Sequence, residues 1–415
     1  MGNSGLHCVV VGAGIVGVST ALFLARSGAQ VTLIDRLAPG EGTSHGNAGI
    51  LAACAMVPVT VPGLISKAPA MLLKKDSPLF MRWSYLPKIA PWLRRYLGNA
   101  NDKDTQRISE QLAFIVSDSV EQHQDLAGNT EADKWLQPSD YQFAYRTMAD
   151  FEADHYVWSI RSRLGFEPEL VTGDAVREKE PALGPETDVL AVLKNHGHIK
   201  SPGLYVKSLA KVFEAMGGSI RRATLQDVTL VDGHVAAIET SEGSIPCDRA
   251  VIATGVWSKP LCEKFGLVMP LESERGYHVI FKNPSVSVTV PTMISSGKFV
   301  ATPMHDGMRC AGIVELGGLD AGPSKQPIEF LMRQVKQTFP ELSYSDTVEW
   351  LGHRPAPADS LPFIGEIANT GVYTAFGHHH IGLTGGPKTG RLIAELIFNE
   401  RDAQELQAFS PERFT

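Results

Sequence analysis

Apolar residues near the start of the chain are grouped as a strand, a helix and a second strand would require. HCVVV at residues 7–11 is a short apolar run, and IVGVSTALFLARSG at 15–28 repeats apolar residues at helical spacing. A second apolar run at 31–34 ends at Asp35. This order predicts a strand–helix–strand unit at the start of the chain.

The middle of the chain mixes both periodicities. Residues 203–217 have a helical pattern, and RAVIATG at 249–255 is a buried strand that ends in a turn of small residues. Between them, VDG at 231–233 and EGS at 242–244 separate short alternating runs. Such tripeptides predict the turns of a meander of short strands.

The last third predicts antiparallel strands and two helices. The strand patterns lie at 279–283, 298–304 and 308–316, with an HDG turn at 305–307. Residues 330–339 have a helical pattern. A final helix is predicted to begin at about Pro387, because proline after two glycines suits the first helical position.

Glycines at fixed spacing mark the first turn as a nucleotide-binding loop. The pattern is Gly12-x-Gly14-x-x-Gly17, and Asp35 follows 18 residues after the third glycine. Gly12 allows a tight turn, Gly14 lets a pyrophosphate approach the backbone, and Gly17 lets helix and strand pack closely. Ile15 and Val16 then open the helix, whose free N–H groups attract phosphate.

Asp35 bears on which dinucleotide binds. Its carboxylate can accept hydrogen bonds from ribose hydroxyls, and it would repel the 2′-phosphate of NADP. The glycine motif occurs only once, and GEGTSHGNAGI at 40–50 is small and polar enough to wrap a long cofactor. Expected cofactor contacts from these stretches and from the turn at 249–257 are Arg36, Thr43, Ser44, Asn47, Ala48, Gly49, Ala253, Thr254, Gly255 and Trp257.

Four stretches together resemble the D-amino-acid oxidase superfamily of FAD enzymes, and within it the bacterial D-amino-acid dehydrogenases. They are the glycine loop, GTSHGNAG at 42–49, GHRPAPADSLPFIG at 352–365 and GHHHIGLTGGPKTG at 377–390. The resemblance implies non-covalent FAD; His45 is a covalent-attachment alternative whose spacing is one residue off. It also implies a Rossmann-like α/β FAD-binding domain (1–60, 198–258 and 347–415) and an inserted α+β antiparallel-sheet substrate domain (61–197 and 259–346).

The resemblance also implies roles for individual residues. Arg354 would bind the substrate carboxylate, because a guanidinium donates two parallel N–H groups to a carboxylate. Gly382, Leu383 and Thr384 would meet the pyrimidine end of the flavin, with the last helix directing its positive end towards N1 and O2. Val228 would lie against adenine.

Histidines and a tyrosine complete the candidate site. Tyr277 and His278 lie on one predicted strand, where alternation directs one side chain inward and the other outward. Either is a candidate substrate contact. His378 or His379 is expected to line the pocket, whereas three consecutive histidines cannot all face one metal ion. No metal site is predicted.

The implied activity is oxidation of a D-amino acid to the imine by hydride transfer from Cα to flavin N5, with a quinone-type acceptor. Imino acids such as D-proline or D-hydroxyproline are included among the candidate substrates. Alternatives on the same fold are a glycine- or sarcosine-type oxidase that uses oxygen and a 2-hydroxy-acid dehydrogenase. An alternative of another class is a flavin-carrying subunit that needs a partner chain.

Charge and cysteine content restrict partners and location. The 415 residues suffice for two or three domains, and the net charge of −7 gives no basic field for nucleic acid. Five scattered cysteines without a CxxC pair favour a reducing compartment, here the cytoplasm. No secretory leader or membrane-spanning segment is predicted.

Residues 56–97 are unusual because they carry seven basic residues and one acidic residue, Asp76. Trp83, Tyr85, Trp92 and Tyr96 lie among them. Two interpretations remain open. Basic, aromatic and apolar residues together are typical of a helix on the inner membrane surface, and a solvated helical lid fits equally well. The basic residues are Lys67, Lys74, Lys75, Arg82, Lys88, Arg94 and Arg95.

Overall fold

A computed structural model describes residues 5–66 and 78–415. The helices are α1 (Ile15–Arg26), α2 (Leu86–Gly98), α3 (Asp102–Val116), α4 (Ser119–Ala127), α5 (Met148–Ala153), α6 (His155–Arg163), α7 (Asp174–Lys179), α8 (Pro202–Ala215), α9 (Lys259–Lys264), α10 (Lys325–Thr338) and α11 (Gly382–Ile397). The strands are β1 (His7–Val11), β2 (Gln30–Asp35), β3 (Ile50–Leu51), β4 (Leu79–Met81), β5 (Leu136–Tyr145), β6 (Glu169–Thr172), β7 (Val189–Ile199), β8 (Ser219–Arg222), β9 (Leu225–Val231), β10 (His234–Thr240), β11 (Gly243–Pro246), β12 (Arg249–Ile252), β13 (Leu271–Lys282), β14 (Thr292–Ile294), β15 (Phe299–Met304), β16 (Gly307–Leu316), β17 (Asp346–Pro357), β18 (Phe363–Glu366) and β19 (Val372–Phe376).

A six-stranded sheet in the order β18-β19-β12-β1-β2-β8 carries the glycine loop. Its strands are parallel except for β18. β1 is buried on both faces: Cys8 and Val10 pack with α1, while Val9 and Val11 pack with the small sheet β9–β11. Burial on both faces explains the continuous apolar run at the start of the chain.

A larger sheet has the order β17-β13-β16-β15-β14-β5-β7-β3, with β4 and β6 paired at its side. One face packs on α10, and Tyr277, Val279 and Phe281 of β13 belong to that core. Residues alternate across a strand, so Glu274, Gly276 and His278 face the other way. That second face is directed towards the glycine loop.

The predicted hairpins and the helix at 330–339 are confirmed. Asp232 and Gly233 connect β9 to β10 with φ of 51° and 81°, as a two-residue hairpin turn requires. The start of the last helix is different from the prediction, because α11 begins at Gly382 and contains Pro387 in its first turns.

The predicted domain division and the sheets differ at two boundaries. β3 and β17 fall in segments assigned to the flavin domain, yet β3 pairs with β7 and β17 pairs with β13 in the large sheet. Helices α3 and α4, assigned to the substrate domain, contact α11. Assignment of the remaining segments to two domains stays a prediction.

Candidate active site

A cavity of about 680 Å³ lies between the two main sheets. It runs from the glycine loop, past residues 42–55, to the face of β13 and β17 opposite α10 and to the loop before α11. The expected cofactor contacts that line it are Gly12, Gly14, Ile15, Val16, Asp35, Arg36, Thr43, Ser44, Asn47, Ala48, Ala253, Thr254, Gly255, Trp257, Gly382, Leu383 and Thr384.

The glycine loop is shaped by close backbone contacts. A Cβ on Gly17 would lie 1.7 Å from the carbonyl oxygen of Gly12, so only glycine fits there. Asp35 accepts hydrogen bonds from the backbone N–H groups of Ala13 (2.7 Å) and Leu37 (2.9 Å). The hydroxyl of Ser44 accepts from the N–H of Ile15 at 3.0 Å. The loop is therefore held open as a cradle of the kind that binds a pyrophosphate.

One end of the cavity is suited to an adenosine group. The guanidinium of Arg36 lies over the Trp257 ring at 4.4 Å, and both line the cavity. Val228 pairs with Ile238 in the small sheet and is not among the residues that line the cavity, so its contact with adenine stays a prediction. Leu225, at the start of the same strand, lines the cavity instead.

The other end receives the N-terminus of α11. Pro387 has no N–H, so the carbonyl of Leu383 loses its usual helical partner. The ring Nε2–H of His123 donates to that carbonyl at 2.9 Å instead, and the Tyr205 hydroxyl donates to Nδ1 of His123 at 2.8 Å. Burial lowers the pKa of His123 to about 4, which keeps the ring neutral. This contact allows a helix with an internal proline to begin five residues before it.

Arg354 extends into the cavity across a glycine. A Cβ on Gly276 would lie 2.6 Å from Cζ of Arg354, so the guanidinium lies flat over that glycine. Among the described residues Arg354 has no ion pair within 4 Å. Burial lowers the pKa of Arg354, and the charge of Glu274 opposes that shift. A cation without a partner that faces a cavity is equipped to bind an anionic ligand.

An acid and two histidines lie beside Arg354. Glu274 is directly opposite Arg354 on the paired strand β13, and its Oε2 bonds Nε2 of His379 at 2.5 Å. His380 is exposed where it lines the cavity, with Nδ1 3.2 Å from Nδ1 of His379. Burial by itself raises the pKa of Glu274, but the charge and hydrogen bond of His379 outweigh burial and lower it.

Arg354, Tyr277 and His378 are among the residues that line the cavity, whereas His278 is not; the polar ends of Tyr277, His278 and His378 are all bonded to other protein groups. The Tyr277 hydroxyl donates to Glu315 at 2.6 Å on the α10 side of the sheet. Nδ1 of His278 bonds the carbonyl of Gly46 at 2.9 Å, and Nε2 of His378 bonds the Thr389 hydroxyl at 2.8 Å. Burial lowers the pKa of both histidines to about 3. Strand alternation could not indicate which face of β13 meets the cavity.

Sequence reasoning also missed Trp350. Its ring lies on Gly46 and Gly352, where an added Cβ would be within 2.3 Å of ring atoms, and it stacks on His278 at 5.1 Å. Trp350 thereby joins the loop at 42–50 to β17 as part of the cavity wall. Glu274 and Trp350 lie three and four residues from Tyr277 and Arg354, which the sequence did single out on the same strands.

The basic segment 56–97 is only partly described, since Lys67, Lys74, Lys75 and Asp76 lie outside the described residues. Ile89, Trp92 and Tyr96 of α2 are buried against the large sheet. Trp83 is 56% exposed, and Lys88, Arg94 and Arg95 are exposed. Within residues 5–66 and 78–415, the helices are all too short or too polar to cross a membrane.

A family model described as "DAO: FAD dependent oxidoreductase" matches residues 7–396. The chain belongs to this family. The resemblance found in the sequence is thereby confirmed, and so is FAD as the cofactor. The glycine cradle, the Asp35 hydrogen bonds and the long cavity fit that cofactor. His45 lies outside the cavity lining, with its ring facing Trp350 at 6.4 Å.

Curated relatives match this chain over nearly its full length. A protein named D-amino-acid oxidase from Bradyrhizobium diazoefficiens is 36% identical over 99% of both chains. A protein named D-amino acid dehydrogenase from Paramagnetospirillum magneticum is 28% identical over 99% of both. Among solved structures, glycine oxidase from Geobacillus kaustophilus matches all of both chains with a TM-score of 0.73 at 20% identity. That structural likeness confirms the fold.

Proposed function

We propose that the chain oxidises a D-amino acid at its Cα–N bond, giving the imine. The observation that carries the proposal is Arg354, whose guanidinium has no ion pair among the described residues and lies in the cavity that we assign to the flavin. The two relatives named for D-amino acids support the same substrate class. Imino acids such as D-proline and D-hydroxyproline stay among the candidate substrates.

FAD would lie along the cavity, with each part of the cofactor held by different residues. The cradle of Gly12 and Gly14 would bind the pyrophosphate, Asp35 the ribose, and Arg36 with Trp257 the adenine end. The N-terminus of α11, at Leu383 and Thr384, would stabilise negative charge on the flavin pyrimidine. When bound, FAD supplies a two-electron acceptor for the hydride that leaves Cα.

The chain itself contributes binding and orientation. Arg354 would hold the substrate carboxylate with two parallel N–H donors, which fixes the rotation of the Cα–H bond. The Trp350 ring and the glycines beneath it form a wall that excludes water from that side. Positioning of this kind accounts for a large share of the rate in reactions without a covalent enzyme intermediate.

Anaerobic reduction tests the proposal. The purified holoenzyme is mixed with D- and L-amino acids, N-methylglycine and 2-hydroxy acids while the flavin absorbance is followed. We expect bleaching by a D-amino acid or a D-imino acid. Bleaching by 2-hydroxy acids alone, or by none of the compounds, contradicts the proposal, and activity regained with a co-purified chain identifies a partner-dependent subunit.

Arg354→Ala separates carboxylate binding from cofactor binding. We expect it to retain the flavin spectrum and to lose roughly 10²-fold or more in kcat/KM, since a bidentate charged contact is removed. Arg333→Ala, on α10 at the other face of the large sheet, is the control that changes the same residue type. Unchanged affinity for the amino acid in Arg354→Ala excludes the carboxylate role.

We propose a quinone-type acceptor, in line with the relatives named dehydrogenases. The 36% identical relative is named an oxidase, which favours oxygen as the second candidate acceptor. Reoxidation of the reduced enzyme by air and by a soluble quinone, measured in parallel by stopped flow, decides between them. Peroxide formed at the rate of turnover supports the oxidase.

A quinone acceptor would bring the protein to the inner membrane surface from the cytoplasm. Exposed Trp83 and the basic residues Lys88, Arg94 and Arg95 of α2 support a peripheral contact. Sedimentation with vesicles of anionic and of neutral lipid tests it. Binding only to anionic vesicles, lost in Trp83→Ser, is expected, and no binding to either identifies this segment as a solvated lid.

A further inference from the structure

We infer that Glu274 binds the amino group of the substrate and accepts the proton that the ammonium loses before oxidation. The inference rests on the proposed function, because it assigns the second half of an amino-acid zwitterion to the same cavity. It concerns a residue that no sequence motif singled out.

Geometry places Glu274 where an amine must lie. The carboxylate and ammonium of an amino acid share one carbon, so their binding groups must be neighbours. Glu274 and Arg354 are directly opposite each other on β13 and β17, where Cβ atoms are about 5 Å apart. Both line the cavity. Gly276, two residues from Glu274 on the same face of β13, lies beneath the Arg354 guanidinium.

The charges are complementary to a zwitterion. Arg354 provides one positive charge and Glu274 one negative charge, so a bound zwitterion would leave both pairs neutral. Burying an ammonium without a counter-charge is costly. Within residues 5–66 and 78–415, Oε2 of Glu274 bonds His379, and Oε1 has no hydrogen-bond partner. Oε1 is therefore available to a ligand in the cavity.

Titratable groups face Glu274 from three neighbouring elements. Arg354 faces it from β17, His379 and His380 from the loop before α11, and Tyr96 from α2. Its neighbour on β16 is Leu316. His379 is the one in direct contact, so it fixes the carboxylate and shares its charge; we assign it as a positioning residue.

The proton moves only between groups that lie inside the cavity. The ammonium N–H bond breaks, its electron pair stays on nitrogen, and the proton forms an O–H bond with Oε1 of Glu274. The amine is then neutral, as departure of hydride from Cα requires. No oxidant takes part in this step, and no proton has to reach the solvent when the substrate binds.

Two ligands of matched shape test the inference without turnover. 2-Aminoisobutyrate carries the ammonium and carboxylate but has no Cα–H, and 2-methylpropanoate is the same molecule without the amine. Their binding to the holoenzyme is followed by the change in flavin absorbance. In Glu274→Gln we expect at least about tenfold weaker binding of 2-aminoisobutyrate, the loss typical of a charged hydrogen bond. Binding of 2-methylpropanoate should be unchanged or tighter.

Glu272→Gln is the matched control, because Glu272 lies two residues away and accepts from the Tyr85 hydroxyl at 3.1 Å outside the cavity lining. It should leave both affinities unchanged. Equal weakening of both ligands in Glu274→Gln would show that Glu274 acts only through Arg354, and would overturn the inference. Glu274→Asp, which keeps the charge, should bind 2-aminoisobutyrate better than Glu274→Gln does.

The wild-type protein provides a test that no variant can obscure. Calorimetry of 2-aminoisobutyrate binding in two buffers of different ionisation enthalpy counts the protons released. We expect about none near neutral pH, because the proton stays within the pair formed by Glu274 and the amine; release of one proton to the buffer overturns the inference. If no D-amino acid reduces the enzyme, the proposed function fails, while these binding measurements still decide the role of Glu274.

The pH profile gives a kinetic readout. Under the proposed function, Glu274→Gln should lose roughly 10²-fold in kcat/KM at neutral pH. Its activity should recover at alkaline pH, where the free amine is already neutral. A profile parallel to that of the wild type at every pH contradicts a proton-accepting role.

Discussion

Arg354 shows that a functional side chain depends on the residue beneath it. The guanidinium lies where the Cβ of any other residue at 276 would be, 2.6 Å from its Cζ. Glycine at position 276 is therefore required by the direction of the Arg354 side chain. The strand itself does not require it, because its backbone there has an ordinary strand conformation. The candidate carboxylate site is thus built by two residues on paired strands, of which only one carries a charge.

Gly276→Ala should displace the guanidinium and leave the cofactor in place. We expect at least tenfold weaker binding of 2-methylpropanoate, since a displacement of about 1 Å can cost up to 10²-fold, with an unchanged flavin spectrum. Gly98→Ala, where an added Cβ meets nothing within 4 Å, is the control. Wild-type affinity in Gly276→Ala means that Arg354 is free to shift without loss of binding.

At the scale of elements, the N-terminus of α11 depends on a histidine from another helix. His123 of α4 supplies the donor that Pro387 removes; the Leu383 carbonyl, which can only accept, fixes the ring proton on Nε2, and Nδ1 then accepts from the hydroxyl of Tyr205 of α8. Three helices therefore meet at one carbonyl, that of Leu383, on the wall of the cavity. The position of the helix end is set by this contact and by packing, because its sequence alone favours a later start.

His123→Leu should therefore loosen the end of α11 that lines the cavity. An unsatisfied buried carbonyl costs about 1–3 kcal/mol, so we expect a lower free energy of unfolding and faster dissociation of FAD. Urea unfolding and the rate of flavin release measure the two effects. His155→Leu, an exposed position on α6, is the control; a His123→Leu variant that matches it in both measurements refutes the supporting role.

The contacts of α11 also show which features the sequence could predict and which it could not. β1, α1 and β2 follow from local apolar patterns, because each packs against its neighbours in the chain. The contact of His123 with Leu383 joins residues 260 apart, and that of Glu274 with His379 joins residues 105 apart. Neither leaves a local pattern. Alternation correctly placed Tyr277 and His278 on opposite faces of β13, but which face meets the cavity depends on where α10 packs.

At the scale of the whole molecule, the candidate site belongs to both sheets. The six-stranded sheet provides the glycine cradle, and the large sheet provides Arg354 and Glu274. Trp350 joins them by covering Gly46 of the loop that follows β2. Buried histidines, among them His123, His278 and His378, hold the arrangement through hydrogen bonds to neighbouring elements.

Those buried histidines predict a loss of stability in mild acid. Burial lowers the pKa of His123 and His198 to about 4 and that of His278 and His378 to about 3, whereas the unfolded chain titrates near 6.5. The unfolded state therefore binds more protons as the pH falls from about 6.5 towards 4. The free energy of unfolding then decreases by up to about 1.4 kcal/mol per pH unit for each histidine.

Urea unfolding of the FAD-saturated protein between pH 7.5 and 5 measures this slope. We expect a plateau above about pH 7 and a steep decrease below 6. His278→Gln keeps a group that can donate to the Gly46 carbonyl but cannot titrate, so its slope should be smaller than that of the wild type by about one proton. His155→Gln, at an exposed position, should keep the wild-type slope. A free energy of unfolding that is constant from pH 7 to 5 would mean that the buried rings gain protons without unfolding, and that the layers between the two sheets open more readily than their hydrogen bonds indicate.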